Sequence, residues 1–384
     1  MKSLRSFSFW LVALGALNAC KPDNTTDTPQ PDPISSRFNF DLNDLPDYFG
    51  GEPAHYALDP ANPNTPQSNL PTAEGITLGR VLFYDKALSI NNAIACADCH
   101  QASMGFGDTA RLSLGFNGGL SGAHSMRLGN AVYFGSGQMF WDRRAATLEA
   151  QTTQPIQDRI EMGFDANQGG LDSLVHRLNQ TDYYPILFEA AFGDQTVNPE
   201  RIQKALAQFV RSLQSYDSQF DQGFASVFNS ALGDGGLMIP FPNYSTSENN
   251  GKRLFLLPPN QGGGGCQGCH VAPSFAYNPA AHSNGLDPGE TVFFKSPSLK
   301  NVGLDGHYMH DGRFSTLEEV VEHYNSGIQF GIALDQRLLV GNTQNPIRLN
   351  LTPTEKADLV AFLQTLDDPG LSTDPRFADP FLSH

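Results

Sequence analysis

Two short segments of this chain have residue types and spacing suited to one chemistry. Cys96-Ala97-Asp98-Cys99-His100 and Cys266-Gln267-Gly268-Cys269-His270 each carry a Cys-x-x-Cys pair with a histidine directly after it. Thiols at that spacing reach the two vinyl groups of one haem, and the adjacent histidine then falls beneath the iron as its proximal ligand. Chance supplies about 0.002 such motifs in a chain of this composition, and here there are two. Two other chemistries compete. A pair of Cys-x-x-Cys segments can build one Cys₄ zinc site, and in an exported chain the thiols can pair as disulfides. Neither requires a histidine after each pair. The pattern therefore points to two covalently bound haem c groups, with His100 and His270 as iron ligands.

The rest of the chain must position these groups. Its 384 residues suffice for two domains of ordinary size, and 40% apolar with 17% charged residues fits packed cores. A formal net charge of −16 excludes the basic footprint that nucleic-acid binding needs. The fifth cysteine, Cys20, stands apart. Lys2 and Arg5 precede the apolar stretch from Phe7 to Leu17, which is too short to span a bilayer, and Leu17-Asn18-Ala19-Cys20 resembles a bacterial lipobox. Residues 1–20 are thus expected to be a lipoprotein signal, with Cys20 lipidated on the periplasmic side. An ordinary cleaved signal with an incidental cysteine is the alternative. Residues 21–36, rich in Pro, Asp and Thr, read as a flexible tether, so the membrane is met only through the N-terminal lipid.

Helical signals dominate beyond the tether. Over 198–220, Asn198 can cap and Pro199 suits the first turn, with Ile202, Ala205, Leu206, Phe209, Val210, Leu213 and Tyr216 on one face. Over 315–324, Ser315 and Glu318 are expected to form a capping box, with Leu317, Val320, Val321 and Tyr324 in a stripe and Asn325-Ser326-Gly327 as the stop. Thr352, Pro353 and Glu355 start a third helix over 352–366. The Gly/Pro/Asn-rich stretches 223–265 and 273–296 read as loops. The expected fold is all-α, two cytochrome c-like haem domains with long loops, divided into 37–235 and 236–384.

From Leu78 to Leu366 the chain resembles the bacterial di-haem cytochrome c peroxidases and their relative MauG. The resemblance is carried by Leu78-Gly79-Arg80-Val81-Leu82-Phe83-Tyr84-Asp85, Phe140-Trp141-Asp142-Arg143-Arg144, Leu148-Glu149-Ala150-Gln151, Glu161-Met162-Gly163 and Tyr308-Met309-His310-Asp311-Gly312, set around the two haem motifs. It implies a peroxidatic N-terminal haem and a C-terminal haem that stores or relays electrons. Gln151, Pro155 and Glu161 match residues lining the distal side of the peroxidatic haem. A carboxylate there can move a proton from the inner to the outer peroxide oxygen. Taken alone, Glu161 would read as a helix-end carboxylate. Trp141 matches the family tryptophan between the haems, although a lone Trp is more often core.

Three positions depart from the family pattern. Peroxidases of this family carry, sixteen residues after the first haem histidine, a histidine that blocks the iron until half-reduction. Here that residue is Phe116, which cannot ligate. The nearby His124 stands at the position of the asparagine that binds an interdomain calcium, so calcium loses one expected ligand. The carbonyls of Asp305 and His307 match the others. Fourteen residues after His310, where peroxidases have a ligating methionine, this chain has Tyr324, as MauG does; Met309 is a rival ligand. MauG carries a tryptophan two residues before its second haem motif, used to oxidise a docked protein, and here that residue is Gly264.

The leading expectation is a peroxidase that reduces hydrogen peroxide with electrons from a small c-type cytochrome or cupredoxin. A MauG-like oxidation of a partner protein and a non-enzymatic electron carrier or redox sensor are the alternatives. A homodimer is compatible with the resemblance.

Overall fold

The structure is a computed structural model that describes residues 64–135, 138–276, 282–304 and 306–381. The expected signal, the tether, Cys20 and Asp305 lie outside the described residues. The α-helices in chain order are α1 (Ala73–Tyr84), α2 (Cys96–Cys99), α3 (Leu148–Thr152), α4 (Gln154–Gln157), α5 (Gly170–Asn179), α6 (Tyr183–Phe192), α7 (Pro199–Ser212), α8 (Gln219–Val227), α9 (Thr246–Leu256), α10 (Leu317–Glu322), α11 (Pro353–Gln364) and α12 (Pro369–Thr373). Among the described residues there are isolated β-bridges but no sheet, so the fold is all-α. None of the described helices is long and apolar enough to cross a membrane.

Each haem motif follows a helix crossed closely by another. In α1, a Cβ on Gly79 would sit 2.0 Å from the Ala205 carbonyl oxygen of α7. In α9, a Cβ on Gly251 would sit 1.9 Å from the Asp358 carbonyl oxygen of α11. Only glycine lets the backbones approach this closely. A phenylalanine one turn on packs against each glycine, Phe209 in the first pair and Phe362 in the second. The occurrence of a haem motif in each half is thus matched by a repeated helix crossing.

Two large apolar cores surround these pairs. One gathers Leu78, Leu82, Phe83, Phe106, Ile156, Phe164, Leu206 and Phe209. The other gathers Phe220, Phe224, Phe241, Leu254, Phe255, Phe275, Phe362 and Leu366. The packing does not divide at 235/236. Phe220 and Phe224 of α8 belong to the second core, whereas Leu371 and Phe377 return to the first. Val132 and Tyr133 also belong to the second core, so the chain passes between the cores repeatedly.

Three helix boundaries also differ from expectation. The helix starting at Pro199, capped by Asn198, ends at Ser212 rather than near 220. Its continuation is diverted because Asn130 bonds the backbone of Ser215, and the Asp368 carboxylate takes the N–H groups of Tyr216 and Asp217. The capping box at α10 is Thr316 with Glu319, one residue later than Ser315 with Glu318. Within the stretch read as loop over 223–265, Ser245 and Glu248 form a capping box that starts α9. The start at Thr352 and Pro353 is as expected.

Candidate functional site

Both proximal histidines are prepared as ligands by a backbone carbonyl. His100 Nδ1 donates to the Phe106 carbonyl (3.1 Å), and His270 Nδ1 donates to the Pro297 carbonyl (3.0 Å). With Nδ1 carrying the proton, Nε2 keeps its lone pair for a metal. Burial holds both imidazoles neutral: it lowers His100 and pushes His270 down to about 4. A neutral ring is the ligating form.

The cysteines are equally suited. Cys96, Cys99, Cys266 and Cys269 are all free thiols. Burial pushes Cys96 and Cys266 up to about 12, and Cys99 and Cys269 up to about 11. Each thiol can add across a vinyl group to form a thioether. Among the described residues no cluster of three or more His, Cys, Asp or Glu side chains could hold a metal ion, so the two pairs do not converge on a Cys₄ site.

Cys266, Cys269 and His270 open onto a cavity whose walls include Leu299, Val302, Leu317, Val320, Val321, Leu359 and Leu363. The expected stripe of α10 therefore faces this space as well as the second core. An apolar cavity lined by two thiols and an imidazole is what a covalently attached porphyrin requires, so the residues fit the group.

Tyr324 and Met309 both line this cavity. Tyr324 lies in the π-helical turn His323–Gly327 that continues α10, and such turns recur at functional sites. Burial pushes its phenol well above the ordinary value, and a hydrogen bond from Asn284 opposes the shift. Gly264 also faces the cavity. It offers no aromatic ring there.

Around the first haem motif, Glu161 sits on a tightly tied turn. Gly163 N–H donates to the Asp158 carbonyl (2.8 Å), and Phe164 N–H to that of Ile156 (2.9 Å). Two outside segments then grip it: Ile90 N–H donates to the Met162 carbonyl (2.8 Å), and Phe116 N–H to the Glu161 carbonyl (2.9 Å). Phe116 is held in turn by Asn91 Nδ2, which donates to its carbonyl at 2.9 Å. Burial raises the Glu161 carboxyl above its ordinary value, Asp158 raises it further, and Arg144 opposes them. Burial is the main cause of the raised Cys96 and Cys99 thiols, and the charge of Glu161 adds to it. Gln151 on α3 and Pro155 on α4 precede this turn in the chain; both are half-buried. Glu149, two residues before Gln151, pairs with Arg211 of α7 and pins α3 in place.

Trp141 is held from both halves. Its Nε1–H donates to the His124 carbonyl (2.7 Å), and its own carbonyl accepts from Lys295 N–H (2.8 Å). Trp141 and His124 both line the cavity at the second haem motif, and His124 also acts electrostatically on His100. The His124 ring donates from Nδ1 to the Arg111 carbonyl (3.1 Å), and its backbone N–H donates to the His310 carbonyl (3.0 Å). His307 Nδ1 donates to the Gly312 carbonyl at 3.1 Å. Sequence reasoning missed the Phe106 and Pro297 carbonyls, Asn284, and the Glu149–Arg211 pair. Backbone acceptors leave no residue-type signal, and Asn284 acts on positions 25 and 40 residues away.

Comparison with known proteins agrees with this geometry. A family model described as di-haem cytochrome c peroxidase matches residues 73–226. The methylamine utilization protein MauG of Methylophilus methylotrophus is 33% identical over 316 residues, covering 79% of this chain and 85% of that protein. The cytochrome-c peroxidase IdrP1 of Pseudomonas sp. (strain SCT) is 27% identical over 370 residues, covering 84% of this chain and 89% of that one. The crystal structure of a MauG-like protein associated with microbial copper homeostasis superposes with a TM-score of 0.69 at 28% identity, covering 90% of this chain and 100% of that one. With a carbonyl-held histidine after each cysteine pair and these relatives across most of its length, the chain belongs to the di-haem cytochrome c peroxidase and MauG family of peroxidase-type oxidoreductases.

Proposed function

We propose that this chain reduces hydrogen peroxide to water with electrons from a small c-type cytochrome or cupredoxin. Haem c held by Cys96, Cys99 and His100 would supply the iron that meets peroxide, and haem c held by Cys266, Cys269 and His270 would supply electron storage. The protein's own part is proton handling. Splitting the O–O bond requires the proton of the inner oxygen to reach the outer one, which leaves as water. Glu161 takes that proton as a carboxylate and returns it as an acid. Phe116 leaves the distal face open because its ring cannot ligate. The observation that carries the reading is the backbone bond from Phe116 N–H to the carbonyl of Glu161, whose side-chain carboxyl is raised by burial. It is tested by peroxide turnover of Glu161→Gln against wild type.

A MauG-like oxidation of a partner protein is the second reading. Tyr324 in the cavity at the second haem motif and the 33% identity to MauG favour it. Gly264 weighs against it, because no aromatic side chain stands there to pass charge to a docked protein. Mass spectrometry of co-purifying proteins after peroxide treatment separates the two. We also propose that Cys20 is lipid-modified and tethers the enzyme on the periplasmic side. Cys20→Ser should release it into the soluble fraction, and an unchanged membrane fraction would count against the anchor.

A further inference from the structure

Both candidate sixth ligands of the second haem touch the same side-chain amide. Asn284 Nδ2 lies 3.2 Å from Met309 Sδ and 3.4 Å from Tyr324 Oη. A primary amide has two N–H donors, so each can serve one of these acceptors. All three side chains line the cavity onto which Cys266, Cys269 and His270 open.

The backbone of Asn284 is fixed on every side. Ser283 N–H donates to the Ala333 carbonyl (2.8 Å), Gly285 N–H to Ser283 Oγ (2.8 Å), and Gln329 N–H to the Gly285 carbonyl (2.8 Å). The carbonyl of Asn284 accepts from His323 Nε2 at 3.1 Å. His323 begins the π-helical turn and directly precedes Tyr324, so Asn284 holds that turn at two adjacent residues. Met309 sits on its own fixed turn, at φ +72°, with Gly312 N–H donating to its carbonyl (3.2 Å).

We infer that Asn284 is a positioning residue that selects Tyr324 over Met309 as the sixth ligand of the second haem. The two hydrogen bonds act in opposite senses. A phenol binds a metal as an oxygen anion, and a donated N–H favours the anion. A thioether binds as a neutral donor through a sulfur lone pair, and an N–H on that sulfur competes for the same electrons. One amide thus strengthens the tyrosine ligand and weakens the methionine. The inference rests on the di-haem reading of this cavity and on Tyr324 as ligand.

The test compares the holoproteins of wild type, Asn284→Asp, Asn284→Leu, Tyr324→Phe and Met309→Leu by EPR and by redox titration of the second haem. Asn284→Asp keeps the side-chain shape but replaces the donors with a carboxylate, so it decides the matter even where Asn284→Leu loses haem. Both Asn284 variants should lose the wild-type low-spin signature and shift the second haem to higher potential. Adding Met309→Leu should abolish the new low-spin signature. Wild-type signature and potential in Asn284→Asp, beside a changed Tyr324→Phe, would overturn the role of Asn284. An unchanged Tyr324→Phe would overturn it through the ligand itself. Peroxide turnover of the wild type, measured on the same samples, judges the peroxidase reading separately.

Discussion

The backbone N–H of Phe116 donates to the carbonyl of Glu161 at 2.9 Å. This bond joins the segment that would block the first iron in other peroxidases to the carboxylate proposed to move the proton. Both are set by one backbone contact, and Asn91 and Ile90 close the same lattice from the other side. The segment proposed to leave the first iron open and the turn proposed to carry the proton-moving group are therefore tied by one backbone bond.

Glu161→Gln should lower peroxide turnover by about 10²-fold or more with both haems retained, the usual size for losing a general acid–base group. Burial, then Asp158, raises the carboxyl above its ordinary value. Only the carboxylate can accept the proton, so wild-type turnover should fall as pH drops through that raised value. The pH–rate profile of the variant should lack this acid limb. A variant with full activity, or with the limb intact, would remove Glu161 from the mechanism.

Phe116→His places a ligating ring on the segment bonded to the Glu161 turn. Wild-type ferric enzyme should show a high-spin signal and react with peroxide without prior reduction. The variant should become low-spin at the first haem and show a lag that pre-reduction removes. A wild-type ferric spectrum that is wholly low-spin would contradict the open face.

Arg211 is 1% exposed and pairs through Nη1 with Glu149 at 2.7 Å. Arg211→Ala leaves the half-buried Glu149 carboxylate with only Asn69 as a donor and should cost about 3 kcal/mol in unfolding free energy. Burial pushes Glu149 up, but the Arg211 hydrogen bond and charge outweigh it and leave the carboxyl below its ordinary value. A carboxyl lowered in the folded state stabilises above its unfolded pKa and loses that contribution as pH falls through the folded value. The gap between variant and wild type should thus be largest near neutrality and shrink below about pH 4. Denaturant titrations at both pH values check this.

The haem motifs were legible because their chemistry is local: thiols and ligand are adjacent in the chain. Helix starts were legible where a cap stands alone, as at Asn198 and Thr352. They were not where caps crowd. Ser315 and Thr316 both bond the Glu319 carboxylate, and only the backbone decides which is the cap. The α9 helix was hidden because Gly251 and the Asn-rich first turn read as loop, although that glycine is required by the crossing with α11. The end of α7 depends on Asp368, more than 150 residues away, and the Asn284 bridge joins three separated segments. Such contacts exist only after folding.

Trp141→Phe removes the Nε1–H bond to the His124 carbonyl while keeping an aromatic ring. Electron transfer between the haems should slow, seen as slower re-reduction after a single peroxide turnover, with both haem spectra otherwise preserved. An unchanged rate would reduce Trp141 to packing between the halves.

Steady-state peroxide consumption by the di-haem holoprotein, measured with a panel of reduced small c-type cytochromes and cupredoxins, tests the central claim most directly. Stoichiometric donor oxidation, two electrons for each peroxide, is expected with at least one donor and should collapse in Glu161→Gln. Negligible consumption with every donor, alongside new oxidative cross-links on a co-purifying protein, would contradict it.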